Sequence, residues 1–184
     1  MTEEQAKETK EETAIGVFTK DSVVVHSEPE ANRLFNKGWF GVLKERKLEL
    51  ALVEALYLLD KGDLIVQDSK GKNIDTKAFA KRASKADHRF WTRYMVYADI
   101  RKRGYITKTA LKYGADFRVY ERGTKPGEEH AKWVLYAVRE SEQFDWRGFA
   151  SMMRVAHSVR KTLLIGILDD EGDVTYYQST WTRP

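Results

Sequence analysis

Apolar positions along the chain recur at helical and strand spacings in short alternating blocks. Residues 23–26 are β-branched and close at Glu28-Pro29, which predicts a strand, and residues 31–37 predict a helix stopped by Gly38. Leu48, Leu52, Ala55, Leu56 and Leu59 fall on one helical stripe, so residues 48–59 predict a helix ended by Gly62-Asp63. Residues 64–66 follow as a strand and residues 73–84 as a helix that is basic on one side.

The texture changes near residue 86. Residues 90–103 predict a helix with Trp91, Tyr94, Met95 and Ala98 facing inward. A second short helix, around residues 107–113, stops at Gly114. Residues 116–122 read as a strand, and the run Gly123-Thr124-Lys125-Pro126-Gly127 turns the chain. Residues 132–139 are apolar on both faces and predict a central strand. Residues 146–160 predict an amphipathic helix with Trp146, Phe149, Ala150, Met153 and His157 on its apolar stripe. An apolar strand over 162–168, an acidic turn over 169–173 and a last strand over 174–182 complete the order. The pattern β-β-α-β-β behind helices predicts an α/β (α+β) fold. Its parts are a flexible arm over 1–12, a small N-terminal mixed α/β domain over 13–86, and a C-terminal mixed sheet flanked by helices over 87–184.

Composition narrows the function. The 184 residues include no cysteine, which excludes a disulfide scaffold, a thiolate zinc site and a cysteine nucleophile. It also fits a reducing, cytoplasmic setting. No apolar run approaches the roughly 20 residues of a membrane span, and the Glu/Lys/Thr-rich start does not resemble a secretory signal. The net charge of +4 is unevenly placed: 15 basic and 15 acidic residues precede residue 87, against 17 and 13 from there on. Eleven of the fourteen arginines and four of the five tryptophans lie in that second half. Arginine offers a planar fork for phosphate and a flat face for bases, so the second half leans towards nucleic acid.

Four candidates for chemistry stand out there. Tyr120 alternates with Phe117 and Val119 and shares a strand face with Arg118 and Arg122; such cations favour a phenolate. His130 opens the central strand after a Pro-Gly loop, and an imidazole with its free pKa of about 6.5 suits proton transfer. Lys161 sits at a helix–strand junction, where it reads either as a helix-terminating cation or as a cation delivered into a site. Arg147, Ser151, Arg154 and Ser158 recur opposite the apolar stripe of their helix, as a solvated face or a nucleic-acid contact. On residue type alone Tyr120 and His130 read as surface side chains before they read as catalytic ones. His157 reads as a core histidine, and His26 and His88 pair with nothing at metal-ligand spacing. Glu45-Arg46-Lys47 matches the Glu-x-Lys triplet of metal nucleases, but no strand-borne aspartate precedes it.

Several stretches together resemble the catalytic subunit of the archaeal tRNA-splicing endonuclease. They are Arg101-Lys102-Arg103-Gly104-Tyr105, the run from Tyr113 to Gly123, His130, and the run from Arg154 to Lys161. Tyr120 and His130 are 10 residues apart, and His130 and Lys161 are 31 apart, the separations of that family's Tyr/His/Lys triad. Ala131 departs from the family, which often has serine there. The resemblance implies a restriction-endonuclease-like C-terminal sheet and a cofactor-free, metal-independent endoribonuclease. Its substrate would be precursor tRNA, cut at both intron junctions in a bulge–helix–bulge. Tyr120 would remove or orient the proton of a 2′-hydroxyl, His130 would protonate the leaving 5′-oxygen, and Lys161 would stabilise the phosphorane. The products would be a 2′,3′-cyclic phosphate and a 5′-hydroxyl. Arg154, Arg183, Arg118 and Arg122 would contact RNA. The loop of Asp169, Asp170, Glu171 and Asp173 would enter a neighbouring subunit, in a homotetramer or beside a second endonuclease subunit. The alternative is a non-catalytic, RNA-binding subunit of such a complex.

Overall fold

The computed structural model describes residues 13–143 and 145–182. The chain divides between Arg82 and Ala83 into two compact units.

In the first unit the elements are β1 (Ala14–Phe18), β2 (Ser22–Val25), α1 (Glu28–Gly38), β3 (Val42–Lys44), β4 (Lys47–Ala51), α2 (Leu52–Asp60), β5 (Leu64–Gln67), β6 (Asn73–Ile74) and α3 (Thr76–Ala86), whose last turn crosses the division. The sheet order is β3-β4-β2-β1-β5-β6, with only β1 and β5 parallel. The helix expected over 48–59 is in fact a strand followed by a helix. Leu48 and Leu50 are buried while Lys47 is exposed and Glu49 half-buried, so a period of two competes with the helical stripe and wins as far as Ala51. The buried Glu54 then makes the transition: its carboxylate accepts the backbone N–H groups of Ala51 at 2.9 Å and Gly41 at 3.0 Å. The helix expected over 73–84 likewise yields its first residues to β6.

In the second unit the elements are α4 (Phe90–Lys102), β7 (Thr107–Thr109), a 3-10 turn (Leu111–Tyr113), β8 (Phe117–Val119), β9 (Trp133–Arg139), α5 (Trp146–Ser158), β10 (Thr162–Leu168) and β11 (Val174–Ser179). They form a mixed sheet in the order β11-β10-β9-β8-β7. β9 and β10 are parallel, joined through α5; every other neighbouring pair is antiparallel. β9 is central, as its two-sided apolar pattern predicts, with Val134–Val138 all buried.

Each face of this sheet carries a helix. On one, Val134, Tyr136, Val138, Leu163 and Ile165 pack with Ala156 of α5, and Phe149, Met152 and Met153 close the layer. Asp145 caps α5 by accepting the N–H of Gly148 at 2.8 Å. On the other face Tyr97 of α4 meets Phe117 with ring centroids 5.5 Å apart, and the Tyr176 hydroxyl donates to Asp99 at 2.9 Å. The buried Asp116 fastens α4 to the strands. It accepts the N–H of Ala137 at 2.9 Å and pairs with Arg93 at 3.1 Å and Arg89 at 3.5 Å. Because α4 is buried nearly all round, a single inward stripe describes it poorly: Tyr94 and Ala98 are buried, but Trp91 is 46% exposed. On α5, Trp146 is 84% exposed and lies off the stripe that the sequence predicted. Among the described residues no helix is long and apolar enough to cross a membrane.

Gly166 of β10 marks the closest approach of α4. A Cβ at this position would lie 2.8 Å from Cγ1 of Val96 and 3.2 Å from Cε1 of Tyr176. Gly166→Ala is therefore expected to cost about 1–3 kcal/mol, read as a lower Tm in thermal unfolding. An unchanged Tm would contradict this packing.

Candidate active site

The topology of the second unit brings three strand ends to one edge of the sheet. β8 runs antiparallel to β9, with Val119 opposite Trp133, and β9 runs parallel to β10, with Trp133 opposite Thr162. The C-terminal end of β8 therefore meets the N-terminal ends of β9 and β10. Tyr120 lies one residue beyond β8, His130 three before β9, and Lys161 one before β10.

Each is held differently. Tyr120 is 5% exposed, and its N–H donates to the Ile106 carbonyl at 2.9 Å. The strand expected over 116–122 ends at Val119, so its alternation does not carry through to Arg122. Tyr120 is accordingly buried rather than displayed between two arginines. The Arg122 guanidinium donates to the Arg103 carbonyl at 2.6 Å and lies over the Tyr105 ring at 4.8 Å. Arg118 is half-buried, and its Nε is buried with no hydrogen-bond partner among the described residues. His130 is exposed. The Lys161 ammonium donates to the carbonyl of Ala131, the residue after His130, at 2.8 Å.

Lys161 is delivered by the way α5 ends. Arg160 takes a left-handed conformation (φ 54°), and the Lys161 N–H reaches back to the Ala156 carbonyl at 2.9 Å. Glycine is the usual residue for such a helix end. An arginine here carries a strain of order 1–3 kcal/mol.

A cavity of about 520 Å³ opens beside this junction, walled by Lys132, His157, Arg160, Lys161, Thr180 and Trp181 among others, with no carboxylate in its lining among the described residues. Such a surface suits a polyanion. An adjoining cavity of about 610 Å³ takes in Arg154, together with His157 and Trp181. His157 is exposed with its ring 5.0 Å from that of Trp181, so it is a cavity-wall residue and not the core histidine that its position on the apolar stripe predicts. The true apolar stripe of α5 passes through Phe149, Met152, Met153 and Ala156, a rotation that leaves His157 outside. Arg147, Ser151, Arg154 and Ser158 form the exposed face of α5. Arg183 lies outside the described residues, as does the arm over 1–12.

Sequence reasoning missed Lys132, Arg160 and Trp181 as cavity residues. The alternation of β9 could have found Lys132, which shares a sheet face with Val134 and Tyr136. No sequence signal marks Arg160, whose conformation only the fold reveals.

The acidic turn lies at the far end of β10. The Asp169 carboxylate accepts the N–H groups of Glu171 at 3.0 Å and Asp173 at 2.8 Å, and Gly172 supplies a φ of 94°. Asp169 thus builds the turn, while Asp170, Glu171 and Asp173 are exposed. Among the described residues no group of three or more His, Asp or Glu side chains is placed to hold a metal ion.

Comparison with known proteins gives the class of this two-unit chain. Residues 14–80 match the family model of the tRNA intron endonuclease N-terminal domain, and residues 90–176 match that of its catalytic C-terminal domain. The chain belongs to the tRNA intron endonuclease family. It is 38% identical over 163 residues to the tRNA-splicing endonuclease of Thermococcus onnurineus, covering 89% of this chain and 93% of that one. To the tRNA-splicing endonuclease of Methanothermobacter thermautotrophicus it is 39% identical over 169 residues, covering 92% and 98%. To that of Nanoarchaeum equitans it is 46% identical over 142 residues, covering 74% and 90%.

The electrostatics of Lys161 are open to direct test. Burial, and then the nearby Arg118 guanidinium, disfavour its ammonium form and hold its pKa below the ordinary lysine value. Arg118→Met removes a like charge, so the Lys161 pKa is expected to rise. Carbon-detected NMR titration of the lysine Cε would show the midpoint moving to higher pH. An unmoved midpoint would contradict the coupling.

Proposed function

We propose that the chain is an endoribonuclease that cuts precursor tRNA at both intron junctions of a bulge–helix–bulge element, without a metal ion. The observation that carries this reading is the meeting of the Tyr120, Lys161 and His130 segments at one sheet edge, beside a cavity whose lining, among the described residues, has cations and no carboxylate. Family membership supplies the substrate class. With the RNA's own 2′-hydroxyl as nucleophile, no water need be activated. The 2′-oxygen bonds to phosphorus as its proton passes to Tyr120 acting as the phenolate, or to solvent with Tyr120 orienting the hydroxyl. The P–O5′ bond breaks as a protonated His130 gives its proton to the departing oxygen. Lys161 balances the charge that builds on the non-bridging oxygens. The ends are a 2′,3′-cyclic phosphate and a 5′-hydroxyl, and DNA, which lacks the 2′-hydroxyl, is spared.

Arg154, exposed on α5 and lining the adjoining cavity, would stack on an extruded bulge base. Arg118, Arg122 and Arg183 are its candidate companions on RNA. Two cuts per intron call for two catalytic subunits. The exposed carboxylates of Asp170, Glu171 and Asp173, on a turn built by Asp169, suit insertion into a basic surface of another copy in a homotetramer working inside the cell.

The test is incubation of the purified chain with bulge–helix–bulge RNA in EDTA, with analysis of the ends. Cutting at both junctions to cyclic phosphate and 5′-hydroxyl ends is expected. His130→Ala and Lys161→Ala should each slow the single-turnover rate by about 10²–10⁴. RNA left uncut by the chain alone, but cut once a second subunit is added, would favour the non-catalytic alternative. Cutting abolished by EDTA would overturn the mechanism.

A further inference from the structure

Lys132 is the cavity cation to which nothing above assigns a role. Its backbone is fixed on both sides: its N–H donates to the Val119 carbonyl at 3.0 Å, and its carbonyl accepts the Thr162 N–H at 3.0 Å. It is thus locked between the residue before Tyr120 and the residue after Lys161. It lines the same cavity as Lys161. The ammonium lies 2.5 Å from a carboxylate oxygen of Glu121, the residue after Tyr120, and 4.8 Å from the centre of the Trp133 ring. Both partners are about half exposed, at 44% and 55%. An ion pair in that much water contributes little and exchanges readily, whereas a phosphate oxygen offers a lysine a strong charge-assisted hydrogen bond. Glu121 does not line the cavity, so an anion entering it would meet Lys132 with no acidic side chain on the wall among the described residues.

We propose that Lys132 is a second phosphate-binding cation, taking an RNA backbone phosphate beside the one that Lys161 faces. Glu121 holds the ammonium while the cavity is empty and competes with the phosphate for it. The inference rests on the proposed reading of Lys161 and the cavity. It separates cleanly from a structural role for the ion pair. If the pair only braces the Tyr120 and His130 segments, removing either partner harms the site in the same way. If Glu121 competes with RNA, the two removals act in opposite directions.

The probe is bulge–helix–bulge RNA carrying 2′-deoxyribose at the two nucleotides to be cut, with the full chain, and Kd measured across a salt series. Lys132→Met is expected to weaken binding by about tenfold and to lower the slope of log Kd against log salt by about one. Glu121→Gln is expected to tighten binding several-fold. Lys132→Arg should keep the wild-type slope, which guards against a general loss of fold in Lys132→Met. Weaker binding in both Glu121→Gln and Lys132→Met, or an unchanged salt slope in Lys132→Met, would overturn this inference and leave the proposed function standing if wild type cuts normally. A wild-type chain that neither binds nor cuts the RNA would overturn both.

Discussion

The parallel pairing of β9 with β10 is the constraint on which the site depends. Through α5 the chain returns so that both strands start at one edge of the sheet, and β8, antiparallel to β9, ends there. Reversing any one of the three would carry its functional residue to the opposite edge. The pairing is protected by burial on both faces. β9 presents an unbroken buried run, in which Val134, Leu135 and Val138 each contribute about 1.5–3 kcal/mol when removed from water. α4 covers one face, anchored through Asp116, and α5 covers the other. The candidate residues stand one to three positions outside the strands, close enough to be held by them.

Charge is sorted along the same strands. The cationic cavity opens where β10 begins, and the acidic turn follows where it ends. A seven-residue strand spans roughly 20 Å, well beyond the Debye length of about 8 Å at physiological salt. The exposed carboxylates therefore do little to neutralise the cavity, and the two ends of one strand can face different partners. Within the cavity edge the effect is reversed. Lys161 is close enough to Arg118, and buried enough, that its ammonium is held at a cost. A phosphate would relieve that cost.

Much of this was legible in the sequence because strong periodicity and packing agreed. β10 matches its expected bounds, β9 is central as its two-sided apolar run requires, and the order of elements in the second half predicts the mixed sheet. The failures came where two periods fit the same residues. Leu48 belongs to a helical stripe and also to a strand alternation, and only pairing with β2 and β3 decides between them. Around residues 107–113 the sequence predicts one short helix where the chain forms a strand and a 3-10 turn, because a three-residue strand carries too few positions to show a period. The segments of Tyr120, His130 and Lys161 could be singled out by spacing and residue type. That they meet could not, since it follows from strand direction. The cavity wall was the least legible part: it depends on the left-handed Arg160 and on a small rotation of α5 that turns His157 outward.

The central claim is that the substrate supplies its own nucleophile and the protein only moves protons and balances charge. Substitution of 2′-deoxyribose at the two scissile nucleotides tests it most directly, with binding and cleavage measured on the same RNA. The account predicts unchanged affinity and no detectable cutting at either junction. Cutting of the 2′-deoxy RNA would contradict it, because the nucleophile would then have to be a water or a protein group.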